Sequence, residues 1–305
     1  MFLNSIRLFG SNWSKALKFF LFYVVVWAIS VALFLPVFFQ FRPIIVPFLE
    51  EATSIVFVGI FKGSIGQNLL ALCLSFFTLV GQMFAQNLWL SIYATVLIFL
   101  ILPLLINIAR YTLYQMLYSY MTSKAQVGFF SALIKSLKKS LPYAVCKTVF
   151  NFVLFAFLGG SMYGLANVEN VVFKTYCFAF VTFVVLVLLF TLYQICVLGW
   201  APSMVVFDCN VFVGFKKGFK AVKRHFWKIF VTTMLYFTLF WAIIMLIGVY
   251  TMLVLIPFAT ALLCMYDMVV FFTSQGMRFY INDTKILTPK KLEEVDNINK
   301  TAPIL

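Results

Sequence analysis

Charge is what this chain has least of. Only 10% of its 305 residues are Asp, Glu, Lys or Arg, and nine of those are acids. Five stretches have none of the four: Phe19 to Phe41, Gly63 to Ala109, Thr148 to Val168, Thr175 to Phe207 and Ile229 to Tyr266. A water-soluble domain does not combine such runs with a hydrophobic content of 64%. Each run is at least as long as the roughly 20 residues that carry a helix across a ~30 Å hydrocarbon core. The period-two alternation of membrane barrel strands is missing, so the spans are read as helices. The fold class expected is an all-α polytopic membrane protein.

Other absences narrow the chemistry. With one histidine, His225, the chain cannot by itself build a histidine-rich zinc site, and His225 reads as an ordinary interfacial residue. There is no GxxxxGK[ST] phosphate cradle, no GxGxxG after a strand and no HExxH, so nucleotide, dinucleotide and zinc-protease chemistry lack their carriers. The cysteines Cys73, Cys146, Cys177, Cys196, Cys209 and Cys264 form no CxxC pair and read as small buried apolar residues. No cofactor and no metal are expected, and the chain reads as non-enzymatic. The N-terminal apolar run is longer than a signal-peptide core and has no small-x-small site after it, so Phe19 to Phe39 is expected to remain as an anchor.

What is present is basic charge, a formal +14, placed between the apolar runs rather than on a soluble module. That placement points to a membrane face and away from nucleic acid. Arg7, Lys15 and Lys18 precede the first run, Arg110, Lys124, Lys135, Lys138, Lys139 and Lys147 follow the second, and Lys216 to Lys228 follow the fourth. Intervening segments offset Arg42 and Lys62 with Glu50 and Glu51, and Lys174 with Glu169. The positive-inside rule then puts both termini in the cytoplasm. It gives six spans near 19 to 39, 88 to 108, 144 to 163, 175 to 199, 229 to 247 and 252 to 274, the last two joined by a tight turn at Gly248 to Thr251. The uncharged run from Gly63 to Ala109 must break, and Gly81-Gln82 and Gln86-Asn87 mark the places. Residues 44 to 80 are expected to be interfacial or re-entrant on the outer side, since a further crossing would turn the later basic connections outward.

The basic segments share a pattern. In VGFKKGFKAVKRHFWKIF, Val213 to Phe230, the residues Phe215, Phe219, Val222, Phe226 and Phe230 share one helical side, and Lys216, Lys217, Lys220, Lys223, Arg224 and Lys228 the other. This reads as an amphipathic helix whose cations meet anionic headgroups while its aromatic face enters the acyl boundary. Phe130, Ile134, Lys135, Leu137 and Leu141 repeat the spacing, with Lys138 and Lys139 beside them, and Phe2, Ile6, Arg7, Phe9 and Trp13 repeat it again. Each copy is followed by a span. The second spans carry related tetrads, LYQM at Leu113 to Met116, LYQI at Leu192 to Ile195 and MYDM at Met265 to Met268.

The expected organisation is one transmembrane domain over residues 1–281. It contains three units of basic helix plus hairpin at about 1–115, 127–200 and 213–280 and an extracytoplasmic insertion at 41–87, and a cytoplasmic tail follows at 282–305. The tail is expected to hold a short helix through Lys290 to Val295, with Thr288 as its N-cap.

The stretch SMVVFDCNVFVGFKKGFKAVKRHFWKIF resembles an element of poorly characterised bacterial membrane proteins, including the membrane domain found beside some glycerophosphodiester phosphodiesterases. In these a Phe-rich, Lys-rich helix precedes a hairpin. The resemblance lies in element order and carries no catalytic motif. It implies an architecture and a bacterial plasma membrane, not an activity.

Asp267 is the only acid inside a span. An acid there costs several kcal/mol unless it is paired or hydrated, so it marks the candidate intramembrane site. Lys147 is placed to reach a similar depth and neutralise it. Aligned tetrads would bring Gln115, Gln194 and Asp267 into a polar ring lined by Tyr114, Tyr193 and Tyr266. Such a ring either ties helices together or handles a proton or substrate. The functional expectations are a scaffold or regulator that binds anionic lipid, with a protein partner in the membrane, or a carrier of a small solute or lipid with its polar site near Asp267.

Overall fold

The computed structural model describes residues 2–61, 65–168, 178–223, 225–247, 252–282 and 286–288. They form a chain of helices: α1 (Phe2–Ser11), α2 (Trp13–Phe61), α3 (Ile65–Gln86), α4 (Leu88–Val96), α5 (Leu102–Ser123), α6 (Phe129–Ala166), α7 (Phe178–Leu198), α8 (Trp200–Phe207), α9 (Val211–Lys223), α10 (Phe226–Ile247) and α11 (Met252–Gln275). Strands β1 (Phe279–Tyr280) and β2 (Ile286–Leu287) pair antiparallel after α11. Helix is the form that satisfies every backbone N–H and C=O within one segment, which hydrocarbon demands.

The protein is therefore an all-α polytopic membrane protein. Five described stretches are long and apolar enough to cross a bilayer: Trp13–Ser54, Leu88–Ser123, Phe129–Leu165, Val187–Phe207 and Leu255–Gln275. Phe226–Phe240, within the 22-residue helix α10, is apolar as well. Large apolar side chains face outward along these helices, among them Val31, Phe39, Trp89 and Phe157. In water such surfaces would associate, whereas a bilayer covers them.

The helices run longer than expected. α2 continues through Pro36, Pro43 and Pro47 to Phe61, about 75 Å at 1.5 Å per residue, with no break near Ile44. α3 packs beside its distal half: Ser75 donates to Glu51 Oε1 at 2.9 Å and the Phe48 and Phe76 ring centroids lie 6.2 Å apart. Residues 44–61 and 65–80 thus belong to two helices packed side by side. Gly81 stays helical, and the uncharged run breaks at Asn87, which caps α4 by accepting from the Leu90 N–H at 3.1 Å. α4 leads into α5 through a π-helical stretch, Leu97–Ile101. It lies just before Pro103, whose ring cannot accept the ordinary i−4 geometry.

The span expected at 88 to 108 extends to Ser123, and the next helix begins at Phe129. Arg110 and Lys147 therefore lie within helices, not in a connection. The second amphipathic copy is no separate helix either. Phe130 to Leu141 is the start of α6, which continues through Pro142 to Ala166. Phe129, Ala132, Ser136, Ser140, Tyr143, Ala144 and Lys147 form one buried stripe in unbroken helical phase across that proline. Burying the stripe along its whole length requires a continuous rod. The first and third copies are separate helices, α1 and α9.

The chain divides into two compact units, one of residues 1–25, 105–146 and 190–305, the other of 26–104 and 147–189. In the second, Val37, Phe41, Ile45 and Ala94 form an apolar core flanked by Phe34, Phe38, Leu79 and Met83. The first holds the polar interior and the basic helices. An apolar cluster in it joins Ile195, Leu198, Val222, Ile229, Tyr236, Leu263, Tyr266 and Val270.

The turn at Gly248 to Thr251, the connection around Glu169 and Lys174, Arg224, and the tail helix through Lys290 to Val295 lie outside the described residues. The β1–β2 pair at the start of the tail, with Phe279 and Ile281 buried, was not foreseen. Of the described cysteines, Cys264 alone is buried and Cys196 is exposed, so burial is not their common property.

Candidate functional site

Two places in the first unit carry chemistry: a polar cluster between α5, α7 and α11, and the basic surface of α9 with the start of α10.

In the cluster Asp267 is 1% exposed. Tyr114 Oη donates to its Oδ2 at 2.5 Å, and Gln194 Nε2 donates to Oδ1 and Oδ2 at 3.0 and 3.2 Å. Hydrogen bonds to a carboxylate stabilise its charged form, which a buried site otherwise penalises. Next to it along α11, Tyr266 shares a hydrogen bond with Thr233 at 3.3 Å, and Tyr236 donates to the Ala259 carbonyl at 2.7 Å. The structure thus brings Gln194 and Asp267 together. From the first tetrad it brings Tyr114, whereas Gln115 is half-buried one position further round α5. Successive helix positions differ by about 100°, so equal tetrad positions do not face a common centre here. Lys147 is buried in α6 at 1% exposure.

Sequence alone assigns Arg110 to a basic connection, whereas the structure places it within α5. It lies one turn before Tyr114 on α5, close enough to Tyr23, Tyr114, Tyr143 and Cys264 for their fields to act on it. Its Nε and Nη2 are buried and have no hydrogen-bond partner among the described residues. The available signal was its i, i+4 relation to a tetrad tyrosine. Lys15, also counted as interfacial, is buried as well; its amine bonds to Asn12 Oδ1 and sits 4.2 Å from the Tyr120 ring centroid.

The basic surface has a different build. α9 buries Val211, Gly214, Gly218, Ala221 and Val222 and exposes Lys216, Lys217, Lys220 and Lys223. Its buried face meets α8 at backbone distance. A Cβ placed on Gly218 would lie 2.3 Å from the Gly199 carbonyl carbon and oxygen. Trp200 Nε1 donates to the Val211 carbonyl at 2.9 Å, and the Ser203 hydroxyl donates to the Gly214 carbonyl. Of the five residues expected to share one apolar side, Phe215, Phe226 and Phe230 are half-buried, Val222 is buried and Phe219 is exposed, so that side meets protein only in part. Phe212, Phe219 and Trp227 remain exposed beside the lysines, Phe212 at 82%.

Where α9 gives way to α10 there is a cleft of about 580 Å³, with Lys223, His225 and Lys228 as its charged or titratable lining and Ile195, Val222 and Phe226 among its apolar walls. At the start of α6, Lys135 and Lys138 are exposed beside Phe130, Ile134 and Leu137. Lys139, also expected to contact lipid headgroups, pairs with Asp208, donating to its carboxylate and to its carbonyl at 3.2 Å. Asp208 closes α8 in the left-handed conformation with φ 50°. Lys217 lies 4.6 Å from the Phe207 ring centroid. Among the described residues no group of three or more His, Cys, Asp or Glu side chains is arranged to hold a metal.

Comparison with protein-family models, curated proteins and solved structures gave no match.

Proposed function

We propose that this integral membrane protein is a non-enzymatic scaffold or regulator of the bacterial plasma membrane that gathers anionic lipid on its basic helices and presents its outer surfaces to a protein partner. The observation that supports this most is the exposed face of α9, where Lys216, Lys217, Lys220 and Lys223 stand beside Phe212 and Phe219 while the opposite face is fixed to α8. Such a row offers cations to phosphate headgroups and rings to the acyl boundary. The cleft at Lys223, His225 and Lys228 adds a concave place for one headgroup, with Trp227 exposed at its edge.

The test uses Trp227 as the reporter, in full-length protein whose other tryptophans, except the buried Trp200 that holds α9, are replaced by phenylalanine. Brominated phosphatidylglycerol in nanodiscs is expected to quench Trp227 more strongly than brominated phosphatidylcholine at equal mole fraction. Equal quenching by the two lipids would reject the proposal.

A carrier centred on Asp267 is the competing proposal. The bonds from Tyr114 and Gln194 engage both carboxylate oxygens, which favours a brace between α5, α7 and α11.

A further inference from the structure

Arg110 is the feature of the interior that bracing does not explain. A guanidinium in the middle of an apolar helix is expensive, and its buried N–H groups need acceptors. The two nitrogens that lack partners among the described residues, Nε and Nη2, are not an arbitrary pair. They form one edge of the planar group, and their two N–H bonds point the same way. This is the edge that grips both oxygens of a carboxylate or phosphate at once. The side chain as a whole is only half-buried, although this edge is not exposed. The buried edge is therefore the protein-facing side of a half-buried group.

The acid of the described cluster, Asp267, already takes hydrogen bonds from Tyr114 and Gln194. The tyrosines near Arg110, Tyr23, Tyr114 and Tyr143, supply hydroxyl groups and ring surfaces. They supply no anion.

We propose that the Nε–Nη2 edge of Arg110 receives an oxyanion from outside the chain, a phosphate or carboxylate group, and that this buried site is distinct from the lysine surface of α9. The oxyanion has two sources, the headgroup of an anionic lipid or a small free anion. Tyr114, one turn along α5 and bonded to Asp267, links the site to the brace. Occupancy at Arg110 then bears directly on how α5 sits against α11.

The experiment uses full-length protein with Lys216, Lys217, Lys220 and Lys223 all replaced by Gln, so that the outer surface contributes little. It is delipidated in neutral detergent and examined by native mass spectrometry. One arm adds phosphatidylglycerol, a second phosphatidylcholine, and a third inorganic phosphate and acetate. Retention of one phosphatidylglycerol per chain, not displaced by the free anions, identifies a lipid source; binding of phosphate or acetate, or displacement of lipid by them, identifies a free anion. Adding Arg110→Gln is expected to weaken retention about 10-fold or more, as loss of a charge-assisted pair does. Arg110→Lys keeps the charge without the fork and is expected to fall between, and it is the variant to read where Arg110→Gln does not fold. Unchanged retention in a folded Arg110 variant would overturn the proposal. So would failure of the Arg110-intact protein to hold any probe, which would leave water as the partner of this edge. Because the α9 lysines are absent throughout, failure here leaves the lipid-gathering proposal standing, and failure of the Trp227 quenching test leaves this one standing.

Discussion

Tyr114 and Asp267, separated by 153 positions in sequence, are joined by a 2.5 Å hydrogen bond in the buried interior, and Gln194 reaches the same carboxylate from α7. One acid thus ties three helices, and its removal has a defined cost. Asp267→Ala leaves a tyrosine hydroxyl and an amide without their acceptor, each worth about 1 to 3 kcal/mol when buried. Asp267→Asn keeps the shape and one acceptor oxygen. Thermal unfolding in detergent is expected to rank wild type above Asp267→Asn and Asp267→Asn above Asp267→Ala. Equal stability of all three would show that the cluster does not brace the bundle.

A second prediction concerns the crossing of α8 and α9. Gly199 and Gly218 meet with no room for a side chain, and the obstacle to a Cβ on Gly218 is backbone, which cannot rotate away. Gly218→Leu is expected to cost at least about 1 to 3 kcal/mol by overpacking and to detach α9, seen as faster proteolysis between α8 and α10. Gly10→Ala, at a position with open space around its Cβ, serves as the control and should leave both stability and proteolysis unchanged.

The pair between Lys139 and Asp208 is mostly solvent-exposed, with side-chain exposures of 39% and 87%. Exposed pairs contribute about 0 to 1 kcal/mol. Lys139→Ala is therefore expected to shift the melting temperature little, and salt should reduce even that difference. A loss comparable to that of Asp267→Ala would mean that the pair anchors the end of α8.

Some of this arrangement was legible in the sequence. The long runs without charge give membrane helices because composition alone decides that burial. Asp267 was legible as the lone acid within an expected span, just past an uncharged run, and Gln194 through its matching tetrad position. The choice between Tyr114 and Gln115 was not, because one residue of helical rotation, set by packing along the whole of α5, decides which of two adjacent polar groups faces inward. Arg110 was hidden by its place at the end of an uncharged run, where it looked like the start of a connection. Only the continuation of α5 to Ser123 puts it inside.

The basic segments illustrate the same limit. Lysine spacing marked the exposed face of α9, yet Gly214, Gly218 and Ala221 were what fixed its opposite face, and small residues carry almost no hydrophobic signal. At the start of α6 the same spacing is present without a separate helix, because the buried stripe through Ser136, Ser140 and Tyr143 keeps its phase past Pro142.

The account turns on whether the lysine face of α9 lies against the inner leaflet. The most direct measurement is thiol labelling of Lys217→Cys in full-length protein with its own cysteines replaced by alanine, using a membrane-impermeant maleimide on sealed vesicles of both orientations. Labelling in inverted vesicles, slowed by added phosphatidylglycerol, and none in right-side-out vesicles is the predicted result. Ready labelling from the outside of right-side-out vesicles would contradict the account.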